Sequence, residues 1–565
     1  MSEEKVGRDS YSLSHENDDL ELHELADVAD TEALLEKTDE ESQPPQQKDG
    51  PVTWLSLPRK DQLAILFLCR FVDFLQVASL QAYVFYQLRS LDGTKSDSEI
   101  SAQVGILQGS STGAQVLTAI LWGKAADATW CGRKTVLVVG LLGTAVSCLG
   151  CGFASSFYWA VFWRALGGAI NGLVGIIRTM IAEITVQRKY QSRAFLILPM
   201  SFNVAGILGP LLGGYLADPS RNLPSLFGEG CVFGSRMVEK YPYALPGIIN
   251  AILLSVTAAI VFLGLEETLK SKKNFFDWGL YITARAKQII LRRPIDQGFS
   301  RLRTTDTFEE QPFVPKEVAD IKAQTPEKPA KVLPFNRIWT RNVILTLVTG
   351  AFYDFHLGAF TNLWTLFLST PRVASVVQQL PFSFTGGLGM PSSMVGNATS
   401  ILGILGMLLQ ICLYPPVHAR LGTLRSFQWF LILFPIAYFF APYLAVLPSS
   451  SEAPEPASGA FIWAGIIFVL FFQVVARTMT LPASIILLNN CSPHPSVLGT
   501  IHGLGQSTSA GFRTVGLLVS GWWYGAGLDM NVVGASWWGV TGMSTLGCVA
   551  AMFIYEGSGH EIMLD

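Results

Sequence analysis

Charged side chains are scarce in this chain of 565 residues. Only 15% of the residues are Asp, Glu, Lys or Arg, whereas 50% are hydrophobic, and the formal net charge is −3. Soluble globular domains contain about 25% charged residues. The composition is therefore typical of a membrane protein rather than a soluble enzyme. Nothing in this charge balance points to nucleic acid, and we expect no nucleic-acid partner.

The chain also lacks the motifs of several enzyme and pump classes. It contains no Walker loop, which disfavours an ATP-driven pump, and no catalytic nucleophile with a matched base. Most of the eight Cys residues fall inside apolar stretches. The spacing of Cys148 and Cys151 therefore predicts helix packing rather than a metal, redox or disulfide site. We expect no enzymatic activity, no cofactor and no bound metal.

Long apolar stretches are what the chain has in abundance. A helix of about 20 apolar residues crosses the hydrocarbon core of a bilayer. Twelve stretches reach this length, at residues 63–88, 101–123, 135–157, 159–184, 194–217, 243–265, 342–368, 393–414, 426–447, 459–489, 499–525 and 535–556. The sequence predicts an all-α integral membrane protein in which twelve transmembrane helices form two pseudo-symmetric halves of six.

Polar segments divide the chain into five regions. We predict a disordered acidic cytoplasmic tail, an N-terminal six-helix half, a cytoplasmic linker, a C-terminal six-helix half and a short cytoplasmic tail, at residues 1–58, 59–268, 269–341, 342–556 and 557–565. The acidic tail has no basic segment followed by an apolar one, so we expect no cleaved signal peptide. In the linker, residues 275–293 predict an amphipathic helix that lies on the inner leaflet or packs against the underside of the protein.

Basic residues predict which side of the membrane each turn faces. They are concentrated in the linker and in the even-numbered turns, which contain Lys124, Arg133, Lys134, Arg188, Lys189, Arg193, Arg420 and Arg425. Because cytoplasmic loops carry the excess of Lys and Arg, both termini are predicted to be cytoplasmic. In the acidic tail, residues 30–35 resemble an acidic dileucine signal for vacuolar or endosomal routing, and a chance match is the alternative.

The turn between the second and third spans carries a clustered motif. It consists of Gly123, Asp127, Gly132, Arg133 and Lys134. The charged members cannot lie in hydrocarbon, and the two glycines allow helix ends to approach closely. The pattern resembles the loop signature of the major facilitator superfamily, with two extra residues between Asp127 and Gly132. A generic positively charged cytoplasmic turn is the alternative.

Two spans carry a buried acidic residue. Arg70 and Asp73 are three positions apart in the first span, so they share one helical face and form either a structural ion pair or a proton-carrying site. Asp354 in the seventh span is the second candidate for protonation. His356 is two positions away, a spacing that does not favour a direct pair with Asp354.

The fourth span contains Arg164, Asn171 and Arg178 at intervals of seven residues, so we expect them along one stripe of the helix. Arg164 with Gly168 resembles a signature of proton-coupled facilitators. At the inner end of the same span, Glu183 is predicted to accept hydrogen bonds from Arg133 and to brace the gate.

The fifth span contains Gly209, Pro210, Gly213 and Gly214. This pattern resembles the antiporter signature of the superfamily, and it also permits a kinked packing seam between helices. Together with the fourth and sixth spans, it is similar to the drug:proton antiporter-1 branch, and within that branch to fungal zinc-induced-facilitator-like transporters. The paired-Cys element and His-rich loop of plant members are absent, so zinc is not supported as substrate.

These resemblances imply a transporter with alternating access. We expect export of small organic molecules, such as drugs, toxins or metabolites, by proton antiport, with the proton gradient as the coupling energy. The proton-coupling candidates are Asp73, Arg70, Arg164, Arg178 and Asp354. A proton-coupled uptake symporter, a vacuolar sequestration transporter and a non-transporting sensor are the alternatives. We expect a monomer in the plasma or vacuolar membrane, and the sequon at Asn397 lies too near the bilayer for glycosylation to be expected.

Overall fold

The computed structural model describes residues 57–185, 190, 194, 197–227, 240–269, 276–291, 334–373, 379–494, 497–557 and 562. The predicted sorting signal, the basic residues at 188, 189 and 193, and most of the linker lie outside these ranges. From Pro58 to Asp565 the chain forms one compact unit. The regular elements within the described ranges are helices.

Eight helices belong to the N-terminal half: α1 (Lys60–Gln81), α2 (Val84–Leu91), α3 (Asp97–Asp127), α4 (Arg133–Gly152), α5 (Phe157–Ile170), α6 (Leu173–Ile184), α7 (Ile197–Leu216) and α8 (Ala244–Gly264). Two one-turn helices, Pro219–Asn222 and Pro224–Phe227, follow α7. A capping box in which Ser96 and Glu99 bond reciprocally to the backbone begins α3. Gly132, at φ 81°, makes the turn from which α4 starts.

The linker contributes α9 (Trp278–Leu291), and the C-terminal half contributes α10 (Arg341–Ser369), α11 (Ser392–Cys412), α12 (Tyr414–Leu431), α13 (Leu433–Phe440), α14 (Ala460–Asn490), α15 (Leu498–Asp529) and α16 (Gly534–Ala551). Two 3₁₀ turns, Phe335–Arg337 and Ala441–Val446, flank these elements. Thr340 caps α10, since its hydroxyl accepts a hydrogen bond from the Val343 N–H at 3.3 Å.

Nine helical segments in the described part of the chain are long and apolar enough to cross a membrane: Lys60–Gln81, Arg133–Gly152, Phe157–Ile184, Ile197–Leu216, Ala244–Gly264, Arg341–Ser369, Ser392–Cys412, Tyr414–Val446 and Ala460–Asn490. Each coincides with a predicted span. Helices α3, α15 and α16 coincide with the remaining three predicted spans but do not meet the same criteria of length and apolar composition. The all-α fold is confirmed, and the count of twelve membrane crossings stays a prediction.

Three predicted spans are not continuous helices. The first is divided between α1 and α2, and the fourth breaks at Asn171 and Gly172. In the ninth, α12 ends at Leu431, α13 covers Leu433–Phe440 and a 3₁₀ turn follows. The predicted turn before this span is present at Gly422, whose φ of 71° and ψ of −177° are non-helical and divide α12 into two parts.

The linker helix α9 packs against α8 on one side and exposes apolar groups on the other. The Thr283 hydroxyl donates to the Leu263 carbonyl at 2.7 Å. Phe276 and Trp278 are 61% and 66% exposed. The contact with α8 shows packing on the protein, and the placement of the exposed aromatic face on the inner leaflet stays a prediction.

Apolar side chains also cover the outside of the bundle. Ile252, Val256 and Ile260 form a stripe at four-residue spacing on α8 and are 55%, 51% and 38% exposed. In water such a stripe would be unfavourable, whereas in lipid it has no cost. A large buried cluster of aliphatic and aromatic side chains includes Trp364 and Trp537.

Candidate functional site

Asp73 on α1 is the centre of a buried polar cluster. It forms an ion pair with Arg70, and the two side chains are 7% and 11% exposed. Asn171 donates from Nδ2 to Asp73 Oδ1 at 2.6 Å. The same Asn171 lies in the break between α5 and α6, where its Oδ1 accepts from the Leu173 N–H at 3.2 Å. The charge of Asp73 is therefore compensated by two donors, one of which depends on the helix break.

That break corrects one prediction. Arg164, Asn171 and Arg178 do not share one stripe of a continuous helix. Arg164 Nη1 donates to Gln76 Oε1 at 3.3 Å, whereas Arg178 Nη1 donates to Gln506 Oε1 on α15 at 3.3 Å. The Asn-Gly sequence at residues 171–172 is typical of a turn and could have revealed the break.

Asp354 on α10 pairs with Arg513 on α15, with Arg513 Nη2 at 2.5 Å from Asp354 Oδ1. The Asp354 side chain is 10% exposed and that of Arg513 is 47% exposed, although both lie near the middle of long helices. His356, as expected, has a different partner, since its Nδ1 lies 3.0 Å from the Tyr438 hydroxyl. The Arg513 side chain is exposed although it lies in the middle of a helix that packs against other helices. This exposure indicates a cleft inside the bundle.

Two arginines and two phenylalanines connect the halves beside Asp73. The Arg70 guanidinium lies 3.7 Å from the ring centroid of Phe74. The Phe74 ring meets the Phe202 ring edge to face at 4.6 Å. On the far side, the Arg477 guanidinium of α14 lies 4.1 Å from the centroid of Phe202. Cations favour the faces of aromatic rings, so this ladder joins α1, α7 and α14.

The glycines of the fifth span form a close-packed seam. A Cβ at Gly209 would lie 2.7 Å from the Ala78 Cβ, and one at Gly213 would lie 2.7 Å from the Ser79 carbonyl carbon. Both contacts are with α1. On the other side of α7, Gly214 faces Ser392 of α11, whose hydroxyl donates to the Gly214 carbonyl at 3.1 Å. The seam therefore holds α7 against both halves of the chain.

The predicted gating brace forms around Arg133. Its Nη1 pairs with Glu183, and its Nη2 donates to Asp127 Oδ1 at 3.2 Å. No local sequence pattern points to Glu267, whose carboxylate accepts the backbone N–H groups of Arg133 and Lys134 at 3.2 and 3.0 Å. The same holds for Asp277, whose carboxylate pairs with the Lys134 ammonium at 2.7 Å.

One member of the loop motif departs from expectation. Gly132 makes a turn with positive φ, as the pattern requires. Gly123 instead has no atom of the described residues within 4 Å of the position that a Cβ would take. Among those residues, the structure shows no close helix approach at Gly123.

We call the side of the bundle with the turn at residues 128–132 the basic side, and the side with the turn at residues 92–96 the opposite side. On the opposite side the halves touch at several points. The Tyr86 hydroxyl donates to the Met390 carbonyl, and the Ser98 hydroxyl donates to Asp529 Oδ2 at 2.8 Å. The two halves are therefore closed against each other on the opposite side.

Towards the basic side, α3 and α15 separate. Gly105 and Gly109 pack on α15, and the Thr514 hydroxyl donates to Thr112 at 2.9 Å. Further along the same face of α3, Leu117 and Leu121 are 81% and 64% exposed. The cleft that contains Arg513 therefore opens between α3 and α15 towards the basic side.

Comparison with known proteins agrees with this architecture. The model of the Major Facilitator Superfamily matches residues 63–447, more than half of the chain. The chain belongs to the major facilitator superfamily. It is therefore a multi-pass membrane transporter with a small-molecule substrate rather than an enzyme.

Several major facilitator relatives extend over most of the chain. The multidrug transporter mfsB of Aspergillus fumigatus is 30% identical over 534 residues, which cover 90% of this chain and 85% of that protein. ZINC INDUCED FACILITATOR 1 of Arabidopsis thaliana is 24% identical, with 78% of this chain and 79% of that protein covered. The resemblance to fungal and zinc-induced-facilitator-like transporters is confirmed.

Solved major facilitator structures share the fold. The crystal structure of a D-xylose–proton symporter has a TM-score of 0.58 and 13% identity, and the match covers 89% of this chain and 99% of that chain. The human organic anion transporter MFSD10 has a TM-score of 0.51 and 16% identity, over 87% of this chain and 99% of that chain. Identities this low support the shared fold alone.

Proposed function

We propose that this major facilitator protein exports small organic molecules in exchange for protons. The observation that carries the proposal is a carboxylate in each half, Asp73 and Asp354, each paired with an arginine in the middle of an apolar helix. Such groups are costly in a membrane and usually serve a proton or substrate pathway. Protonation would remove a charge and release the arginine, which would change the relative stability of the two openings.

Asp354 is the better candidate for the coupling acid in this conformation. Asp73 is held by both Arg70 and Asn171. Asp354 is bonded to Arg513, whose side chain is 47% exposed. Water can therefore reach the Asp354 pair through the cleft, whereas the Asp73 cluster is enclosed. We assign proton exchange to Asp354, with Asp73, Arg70, Arg164 and Arg178 as supporting candidates.

Two features are suited to the conformational step. They are the ion-pair brace at Arg133 and the small-residue seam at Gly209, Pro210, Gly213 and Gly214. Small residues let helices slide in close contact, and an ion-pair brace can break and re-form at one opening. With both termini in the cytoplasm, as the basic turns predict, the present opening faces inward. We place the protein, as a monomer, in the plasma membrane or the vacuolar membrane.

Proton movement in sealed proteoliposomes tests this proposal. The purified chain is reconstituted with an imposed pH gradient and challenged with a panel of toxic and secreted small molecules. We expect cargo to dissipate the gradient, and Asp354→Asn to abolish the effect. Asp61→Asn, which changes an exposed acid on α1, is the matched control and should behave as wild type. Cargo movement without proton flux would overturn the antiport mechanism.

A proton symporter is the second candidate, and one observation favours it. Arg178, Arg477 and Arg513 give the cleft an excess of positive charge over Asp354. An anion near these arginines would make protonation of Asp354 more favourable, so the two would bind together. Comparing gradients of opposite sign distinguishes the candidates, since symport requires cargo and protons to move in the same direction.

A further inference from the structure

We propose that the cleft binds small organic anions that contain an aromatic ring, with Arg477 and Arg178 as the anion-binding residues and Phe202 as the aromatic contact. This inference rests on the proposed transport function. It depends neither on the direction of transport nor on proton coupling.

The central charges do not balance. In the described helices, the guanidinium groups of Arg70, Arg178, Arg477 and Arg513 are grouped with two carboxylates, Asp73 and Asp354. Asp73 is engaged by Arg70 and Asp354 by Arg513. Arg178 and Arg477 therefore remain without a carboxylate partner, and a low-dielectric site with this excess favours a negative ligand.

Arg477 is the most unusual of these groups. Its protein contact is with the face of Phe202, and it makes no hydrogen bond or ion pair with the described residues. A guanidinium has five N–H donors arranged as a planar fork that matches a carboxylate. Donors in this position are available to a ligand in the cleft.

Arg178 approaches from the other half of the chain. Its Nη1 contacts the neutral amide of Gln506 on α15, and its side chain is exposed to the cleft. Arg178 and Arg477 both interact unfavourably with Arg513. An anion bound near Arg513 would offset this repulsion, and Arg178 and Arg477 belong to different halves of the chain.

The residues around Arg477 favour an aromatic ligand as well as a negatively charged one. The ring of Phe202, only partly buried, lies beside Phe74 and beneath the guanidinium. Aromatic rings pack well edge to face or offset, with centroids about 4.5–7 Å apart. An aryl carboxylate would place its ring near Phe202 and its anion on the fork of Arg477, whereas an aryl amine would be repelled.

Three probes with one aromatic skeleton test the proposal. Tritiated 2-naphthoate is bound to the purified full chain in nanodiscs, with empty nanodiscs as the blank. Unlabelled 2-naphthoate, neutral 2-naphthamide and cationic 2-naphthylmethylamine then compete for the site. We expect 2-naphthoate to displace the label at a concentration at least tenfold lower than either of the other two probes.

Variants locate the site. Arg477→Gln should weaken 2-naphthoate binding at least tenfold, and Arg477→Lys should weaken it less because the charge remains. Arg178→Gln removes an exposed side chain with one neutral partner, so this variant should fold normally and still bind at least threefold more weakly. Arg341→Gln, at the exposed start of α10, is the matched control and should bind as wild type.

The proposal is overturned if the amide or the amine competes as well as the carboxylate, or if Arg477→Gln and Arg178→Gln both bind as wild type. It is also overturned if wild-type binding equals that of empty nanodiscs. The proton-flux assay is separate. Selective naphthoate binding without proton flux would contradict antiport alone, and proton-coupled movement of neutral or cationic cargo without such binding would contradict the anion site alone.

Discussion

Arg477 and Phe202 face each other across the two halves of the chain, with 4.1 Å between the guanidinium and the ring centroid. The contact lies at the end of the ladder that begins at Arg70, so it couples the Asp73 cluster on α1 to α14. A contact between halves has to break when they move apart. Because α7 stays packed on α11, it is the contact of α7 with α14 that can change, and we expect this change to influence both cargo binding and the balance of conformations.

Replacing Phe202 with Ala should move the halves further apart on the basic side. A cation–aromatic contact contributes about 0.5–2 kcal/mol, which corresponds to roughly a 2- to 30-fold change in the conformational equilibrium. Distances between spin labels at Leu121→Cys and Gly503→Cys, in a background without other cysteines, measure the change. Phe202→Tyr keeps the ring and is the control. An unchanged distance distribution in Phe202→Ala would show that the contact has no effect on opening.

Asn171→Leu should destabilise the N-terminal half. The substitution removes the 2.6 Å hydrogen bond to Asp73 and the bond that Asn171 accepts from the Leu173 N–H at the start of α6, and a buried carboxylate that loses a donor costs about 1–3 kcal/mol. Thermal unfolding of the purified protein should occur at a lower temperature. Asn489→Leu, at an exposed site, is the comparison. Equal unfolding temperatures for both variants would contradict a stabilising role for Asn171.

Arg133→Gln should slow transport more than it weakens cargo binding. Arg133 contacts Glu183 and Asp127 on two different helices, so its loss leaves carboxylates unpaired at the opening. Since the carboxylates of Glu183 and Asp127 are exposed, the cost should be at most about 1 kcal/mol for each pair. Initial rates in proteoliposomes and equilibrium binding to nanodiscs separate the two effects. A weaker affinity at an unchanged rate would assign Arg133 to the binding site instead.

Gly213→Ala and Gly123→Ala form a matched pair. A Cβ at Gly213 would overlap the Ser79 carbonyl group, whereas one at Gly123 would have no atom of the described residues within 4 Å. Overpacking typically costs about 1–3 kcal/mol, and Ala at an open helical position gains up to ~1 kcal/mol over Gly. We expect Gly213→Ala to unfold at a lower temperature than wild type and Gly123→Ala to unfold at the same or a higher temperature. The reverse order would mean that the α1–α7 seam is loose.

Local patterns identified much of this architecture. Apolar runs located the helices, and the three-residue interval between Arg70 and Asp73 correctly placed their side chains together. Glu183 and Arg133 were paired because a known loop pattern supplied the geometry. These features depend on helical periodicity or on a turn, both of which can be read from a short segment.

Other features depend on the packing of distant segments. Arg513 is 159 positions from Asp354, and no periodicity relates Phe202 to Arg477. Glu267 and Asp277 reach the turn at Arg133 and Lys134 only because α8 ends and α9 begins beside it. The break at Asn171 had a local signal in the Asn-Gly pair, but the heptad interval of the flanking arginines suggested a continuous helix instead.

The α7–α11 contact between the halves extends further along its helices than the α3–α15 contact does. Helices α7 and α11 stay together from Gly214 and Ser392 to Asn203 and Gln410, whose side chains are bonded at 2.6 Å, whereas α3 and α15 separate beyond Thr112. Two rigid bodies joined along one edge rotate about that edge, so the displacement of a residue grows with its distance from the edge. We therefore expect the α7–α11 edge to move least and cargo to pass along the free edge beside Leu117.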